Sequence, residues 1–211
     1  MARGMRGGAN PAAPAGPLPI GKPKLLIGEG LEEVFFFRAL LRYLRIDDVA
    51  VKDYGGKTNL RPYLRTLALA HDFMSLRALG VTRDADSDAA GALKSVNDAV
   101  AAAGLSVSPA AVLSQPATRI FILPGSGQSG MLEDLCWSAI ADDPASSCVE
   151  DFIGCVQRTG GDPQPLAKAR VHAWLASRER PDLRVGEAAE RGYWPFDHPA
   201  FGPLLTFIRG L

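Results

Sequence analysis

Three things are scarce in this chain, and each scarcity closes off a class of protein. Cysteine is rare: Cys136, Cys148 and Cys155 are the only ones in 211 residues. They form an odd set without a CxxC pair, and no stretch resembles a secretory hydrophobic region. A disulfide framework is therefore excluded, and a reduced, cytoplasmic setting is expected. A zinc site joining the three thiols to His172 is the rival reading, but buried free thiols on helices are the commoner arrangement and the one expected here. Long apolar runs are lacking too. Runs such as residues 34–37 and 119–123 fall far short of the roughly 20 residues a membrane-spanning helix needs, so a soluble protein with no membrane partner is expected. Finally, neither sign of charge is in excess, with 23 Lys+Arg against 23 Asp+Glu. Bulk electrostatic coating of nucleic acid or anionic membrane needs a clear basic surplus and is excluded. A local phosphate site is not.

What remains is the composition of a folded domain, 47% hydrophobic and 22% charged. The length suits one domain with an appended helical segment. Residues 1–23 stand apart, with five Gly, five Pro, five Ala, three basic residues and no acid. Such a segment buries too little apolar surface to offset its ordering entropy and is expected to be a disordered tail. Setting aside its Arg3, Arg6 and Lys22 leaves 20 basic residues against 23 acidic ones, so the body is mildly acidic.

From Lys24 onward short apolar runs alternate with amphipathic ones. Strands are expected at 24–28, 48–53, 75–82 and 118–123, with helices at 31–44, 59–70, 89–102 and 131–141. Alternation of this kind implies parallel strands joined by right-handed crossovers, hence an α/β fold with an open parallel four-stranded sheet and helices on both faces. The rest reads as a helical C-terminal extension, with helices at 149–158, 165–177, 186–191 and 198–209. The expected organisation is thus a tail (1–23), an α/β domain (24–145) and a helical extension packed on it (146–211). Ligands of such sheets bind outside the carboxyl ends of the strands.

Acidic residues gather at those ends. The first strand runs into Gly28-Glu29-Gly30, with Glu32 and Glu33 just beyond. The third runs into Arg83-Asp84-Ala85-Asp86-Ser87-Asp88, and the fourth leads through its turn to Glu133-Asp134. Carboxylates so close repel one another unless a cation offsets them. A hard divalent ion such as Mg²⁺ is the usual partner, using one or two carboxylates plus water and substrate phosphate. Helix capping is the competing explanation for Asp86 and Asp88, and it suits Asp88 well and Glu32 to a degree. It suits Glu29 poorly, because that residue follows a buried run and lies between two glycines. Glu29, Asp84 and Asp86 are therefore the expected metal site, with Asp88 and Glu133 as further candidates.

Gly28-Glu29-Gly30-x-x-Glu33 after the first strand, with Asp84-x-Asp86 after a later one, resembles the two motifs of the Toprim domain. That domain is shared by bacterial primases, type IA and type II topoisomerases, small RNA-maturing nucleases, recombination-mediator proteins and overcoming-lysogenization-defect nucleases. More closely, the stretches VKDYGGKTNL, LGVTRDADSD, GMLEDL, KARVHAWLAS and GYWPFDHPAF resemble a bacterial Toprim-like family of unknown function. The Toprim motifs span about residues 24–125, and the closer match runs from Lys24 to the end. The resemblance implies a Toprim-like four-stranded parallel sheet with Mg²⁺ held by Asp84 and Asp86, Mn²⁺ being the alternative ion. It also implies Glu29 as general acid/base or metal contact. Glu33 stands where many members carry Asp. Glu133 lies roughly where the overcoming-lysogenization-defect nucleases supply further metal-binding acids.

Phosphate contacts are expected at Gly55-Gly56-Lys57, where backbone N–H groups and one ammonium close the second strand and open a helix. Lys168 and Arg170 are weaker candidates on a later helix. His172 shares a face with Lys168 and is a candidate general base. Three rival motifs carry less. Gly125-Ser126-Gly127-Gln128-Ser129-Gly130 fits GxGxxG, with Glu150 about twenty residues on, but it follows the last strand rather than the first. Ser126 lacks the GxSxG elbow of a hydrolase nucleophile. Tyr193-Trp194-Pro195-Phe196 and Phe201 read as a hydrophobic clasp rather than a stacking platform for bases.

The leading expectation is a Mg²⁺-dependent, nuclease-like enzyme cleaving phosphodiesters in DNA or RNA. The chain has no room for the tyrosine-bearing domain of a topoisomerase or for a full primase. The competing expectation is a non-catalytic module of the same fold that binds metal, nucleotide or nucleic acid, or scaffolds a partner.

Overall fold

The computed structural model describes residues 19–108 and 115–211. Strand β1 (Lys24–Gly28) is an unbroken apolar run because both of its faces are covered. Its side chains alternate: Leu25 and Ile27 enter one core and Leu26 the other. Strand β2 (Val49–Asp53) pairs with β1 on one side, β3 (Ala78–Asp84) pairs with it on the other, and β4 (Ala117–Leu123) extends the sheet beyond β3. All pairings are parallel, in the order β2-β1-β3-β4.

The crossover helices divide between the faces. Helix α1 (Leu31–Tyr43), between β1 and β2, packs on the face of Leu26 through Phe36, Phe37 and Leu40. Helices α2 (Leu60–Ala68) and α3 (Ala89–Ala102), before and after β3, pack on the opposite face with Leu25 and Ile27 through Leu64, Leu67, Val96 and Val100. The chain therefore leaves β1 toward one face and leaves the adjacent β3 toward the other. This is the topological switch point of an open sheet, where a crevice opens between the outgoing segments.

Beyond β4, helices α4 (Leu132–Ala139), α5 (Pro144–Arg158), α6 (Leu166–Ala176), α7 (Val185–Glu190) and α8 (Gly202–Arg209) all return to the α1 face. The aromatic segment near the end is a clasp in that core. Trp194 stacks on Trp174 with ring centroids 5.3 Å apart and donates its indole N–H to the Val185 carbonyl at 2.8 Å. Phe196 meets Phe36 edge-on at 5.5 Å. Helix α7 lies so close to α1 that a β-carbon on Gly186 would come within 2.4 Å of the Glu32 carbonyl oxygen.

The expected fold class stands, and the differences are local. Strand β3 begins at Ala78 rather than 75, because Phe73–Ser75 forms a 3₁₀ turn in which the Ser75 hydroxyl donates to the Asp72 carbonyl. It runs on to Asp84, which pairs with Leu123. Helix α5 starts at Pro144 rather than 149: Asp143 Oδ1 accepts from the Ala145 N–H, and proline suits the first turn. The expected boundary at 145–146 thus lies in its first turn. Of the segment read as a disordered tail, residues 1–18 lie outside the described residues. Ile20 is buried in the α2/α3-side core, and Lys22 Nζ donates to the Val49 carbonyl.

Candidate functional site

The switch point between β1 and β3 holds a cleft of about 310 Å³ lined by carboxylates from three stretches of chain: Glu29 and Glu33 after β1, Asp84 at the end of β3, and Glu133 in α4. Local geometry accounts for each. Glu33 Oε2 accepts the Gly30 N–H at 2.9 Å and so closes the first turn of α1. Its Cβ lies where a side chain at position 28 would begin, 2.8 Å from an ideal Cβ there, so only glycine lets β1 and the start of α1 approach this closely. Asp84 Oδ1 accepts the Leu132 N–H at 3.0 Å, capping α4 from across the sheet edge. That bond carries the neighbouring Glu133 to the same cleft. The Glu29 carbonyl accepts the Gly56 N–H at 2.9 Å, which holds the Gly55-Gly56 turn against the rim.

These acids repel one another in a poorly hydrated place. Burial, and then the charges of Glu33, Glu133 and Glu29, push the Asp84 carboxyl up to about 8. Burial pushes Glu33 up to about 7, opposed by the backbone N–H groups of Glu33 and Gly30, with the charges of Glu29 and Glu133 adding to the rise. Glu29 is raised by burial against the pull of Lys57 and Arg83, and Glu133 by burial against the pull of Lys168. Lys168, on α6, is the cation at the rim, its Nζ 3.8 Å from Glu133 Oε1. Glu29 Oε2 is buried and has no hydrogen-bond partner among the described residues.

Of the residues singled out in the sequence, Glu29, Asp84, Glu133, Gly55, Gly56 and Lys168 meet at this cleft. The others are placed elsewhere. Asp86 has left-handed backbone (φ 51°), bridges to Gly130 through main-chain hydrogen bonds, and turns its carboxylate to Lys57. It reaches Glu29 only through its field. Asp88 caps α3, its Oδ1 accepting the Gly91 N–H at 2.9 Å. Arg170 is held by Glu150 at 2.8 Å, and His172 is exposed one turn beyond Lys168, its charge acting on Glu133. The GxGxxG segment is spent on structure, since Gly130 pairs with Asp86 and Glu150 sits within α5. Cys136 is buried, while Cys148 and Cys155 are exposed, and all three thiols are free. The residue missing from the expected metal set is Glu33. Its spacing of four from Glu29, across a helix start, was the available signal.

Among the described residues no three His, Cys, Asp or Glu side chains come together closely enough to hold a metal ion unaided. The donor set nevertheless suits one kind of ion. All the groups are hard oxygen donors, one carboxylate oxygen is unpartnered, and the mutual repulsion is of the sort a cation relieves. Mg²⁺ binds through one or two carboxylates and completes its shell with water and phosphate oxygens, which this arrangement permits. Among the described residues no helix is long and apolar enough to cross a membrane.

The chain belongs to the family described as protein of unknown function (DUF3226), which matches residues 23–211. No curated protein and no solved structure matches the chain.

Proposed function

We propose that this protein is a Mg²⁺-dependent, nuclease-like phosphodiesterase acting on nucleic acid in the cytoplasm, with its reaction centre in the carboxylate cleft. The observation that carries this reading is the gathering of Glu29, Glu33, Asp84 and Glu133 from three chain segments at the sheet's switch point, where burial and mutual repulsion outweigh the nearby cations. The Toprim-like motifs include Glu29, Glu33 and Asp84, while their fourth acid, Asp86, pairs with Lys57 outside the cleft. Asp84 and Glu29 would hold the ion, Glu133 would be a further candidate ligand, and Mn²⁺ would serve in place of Mg²⁺. When bound, the cation supplies Lewis-acid polarisation of a phosphoryl oxygen.

The chain's own groups do the rest. Glu29, with one oxygen unpartnered and its affinity for protons raised by burial, is placed to take a proton from attacking water or give one to the leaving oxygen. Lys168 offers its ammonium to a phosphate oxygen at the rim. The Gly55-Gly56 turn brings bare backbone to the opposite side, though the Gly56 N–H is already given to Glu29.

One observation favours the second reading, a non-catalytic binding or scaffolding module. Asp84 and Glu33 already work as helix caps, so their presence has a structural explanation. The two readings separate in one assay. Full-length protein is incubated with labelled single- and double-stranded DNA and RNA in Mg²⁺, Mn²⁺ or EDTA, beside an Asp84→Asn variant that keeps an acceptor for the Leu132 N–H. The enzyme reading expects metal-dependent cleavage that falls at least about a hundredfold in the variant. Cleavage that survives Asp84→Asn sinks the assigned site, and none with any metal selects the module.

A further inference from the structure

A second cleft, of about 490 Å³, opens between α2 and α3 on the far side of β3. Its cations are Lys57, Arg61, Arg83 and Lys94, and Asp98 is the one acid in its lining. In a chain with no net charge this is a local concentration of positive potential, and a cleft focuses it. The cations are loosely held. Lys94 pairs with Asp98 on the surface, and Lys57 with Asp86 where both side chains are 40% exposed. Such exposed pairs contribute little and exchange readily. Arg61 makes no ion pair or hydrogen bond among the described residues. Arg83 donates Nη1 to the Ser95 hydroxyl at 2.8 Å, while its Nε is buried without a partner.

Two features connect this cleft to the carboxylate one. Gly55-Gly56 lines the first and Lys57 the second, so a single turn forms the ridge between them. Arg83 and Asp84 are consecutive in β3, and one side chain lines each cleft. No aromatic ring lines the basic cleft, whose remaining walls are Thr58, Leu60, Gly91, Ser95 and Ala99. A site of this composition contacts phosphates and leaves bases unread.

We propose that the cleft lined by Lys57, Arg61, Arg83 and Lys94 is a phosphate-binding track for a nucleic-acid strand, leading its backbone over the Gly55-Gly56 ridge to the carboxylate cleft without regard to sequence. The inference rests on the nuclease-like reading for the kind of ligand, and its test needs neither metal nor cleavage.

Fluorescence anisotropy of full-length protein with labelled single-stranded oligonucleotides of two unrelated sequences, in EDTA over a salt series, measures binding alone. The variant R61E/K94E is compared with R158E/R180E, which makes the same charge change at exposed residues outside both clefts. Binding weakened about tenfold or more for both sequences by R61E/K94E alone, with the salt slope reduced by about 2, is the expected result. Thermal unfolding checks that the variants fold, and R61Q/K94Q gives a smaller effect in the same direction should the reversal not fold. Wild-type protein that fails to bind, R61E/K94E that binds like wild type, or equal loss in R158E/R180E overturns the proposal. So does complete displacement of the strand by millimolar inorganic phosphate, which marks a single-anion site. Binding that behaves as expected beside absent cleavage leaves the track standing and removes the nuclease.

Discussion

Arg83 and Asp84 are neighbours in β3, and their side chains serve clefts of opposite character. The carboxylate cleft is built from partly buried groups with structural duties: Glu33 closes α1, Asp84 caps α4, and Glu32 ties α1 to α7 by accepting the Gly186 N–H at 2.9 Å. The basic cleft is built mostly from long exposed side chains: Lys57 and Lys94 pair with exposed acids, while Arg83 is partly buried and donates to the Ser95 hydroxyl. The difference lies in where electrostatic free energy is stored. In the first cleft repulsion is locked into the fold and bears on stability. In the second, the exposed Lys57, Arg61 and Lys94 keep most of their hydration and bear little on stability.

The largest effect is expected where the carboxylate cleft is braced. A β-carbon on Gly186 meets the Glu32 carbonyl oxygen, a backbone atom that cannot move without α1 moving. Gly186→Ala should cost about 3 kcal/mol in a urea melt and, on the proposed nuclease-like reading, weaken cleavage by shifting the helix that carries Glu33. Retention of wild-type stability would mean that α7 does not hold α1 in register and that the cleft is propped some other way.

The pH dependence of stability comes next. The carboxyls of Asp84 and Glu33 are raised in the folded protein, from 3.8 to about 8 and from 4.5 to about 7. An acid with a raised folded pKa holds its proton more tightly when folded, so the stability these two groups contribute is fully present at acid pH and is lost as pH rises through the window from about 4 to about 8. The groups share one repulsion and titrate together, so the combined loss is on the order of 2 kcal/mol rather than a sum of two shifts. Asp84→Asn should flatten the decline and stabilise the protein at pH 8 and, on the proposed nuclease-like reading, lower cleavage at least about a hundredfold. Millimolar Mg²⁺ should recover part of the loss in wild type and little of it in the variant. Stability that climbs steadily from pH 5 to pH 8 would show that burial and neighbouring charge do not raise these two carboxyls.

How legible the molecule was follows the same division. The parallel sheet and β1 could be read because strands covered on both faces are continuous apolar runs, and α3 because Asp88 marks its cap. Glu29, Asp84 and Glu133 could be placed at one edge because parallel topology sends every strand end the same way. Asp86 was grouped with Asp84 because alternate residues of an extended segment share a side. The chain is no longer extended there: Asp86 takes a left-handed conformation and pairs with Gly130, which turns its carboxylate to Lys57. Glu33 was underrated for the converse reason, since its proximity to Asp84 depends on how closely α1 approaches Gly28. Of the basic cleft only Lys57 stands out in the sequence, because Lys57, Arg61, Arg83 and Lys94 come from four separate elements and share no motif.

The smallest stability effect is expected in the basic cleft, and it sharpens the contrast most directly. Lys57 and Asp86 form the ion pair nearest the ridge, and both remain substantially exposed. Solvent screening and the entropy of a long side chain cancel most of the attraction, so Lys57→Met should change unfolding free energy by no more than about 0.5 kcal/mol. The same substitution removes one cation from the track and should weaken metal-free oligonucleotide binding about threefold, lowering the salt slope by about 1. It also frees the Asp86 carboxylate close to Glu29, whose proton affinity should rise further once Lys57 no longer opposes burial there. A loss of 2 kcal/mol or more on Lys57→Met would place this lysine with the acids, as a group holding the fold together, and would erase the division between the two clefts.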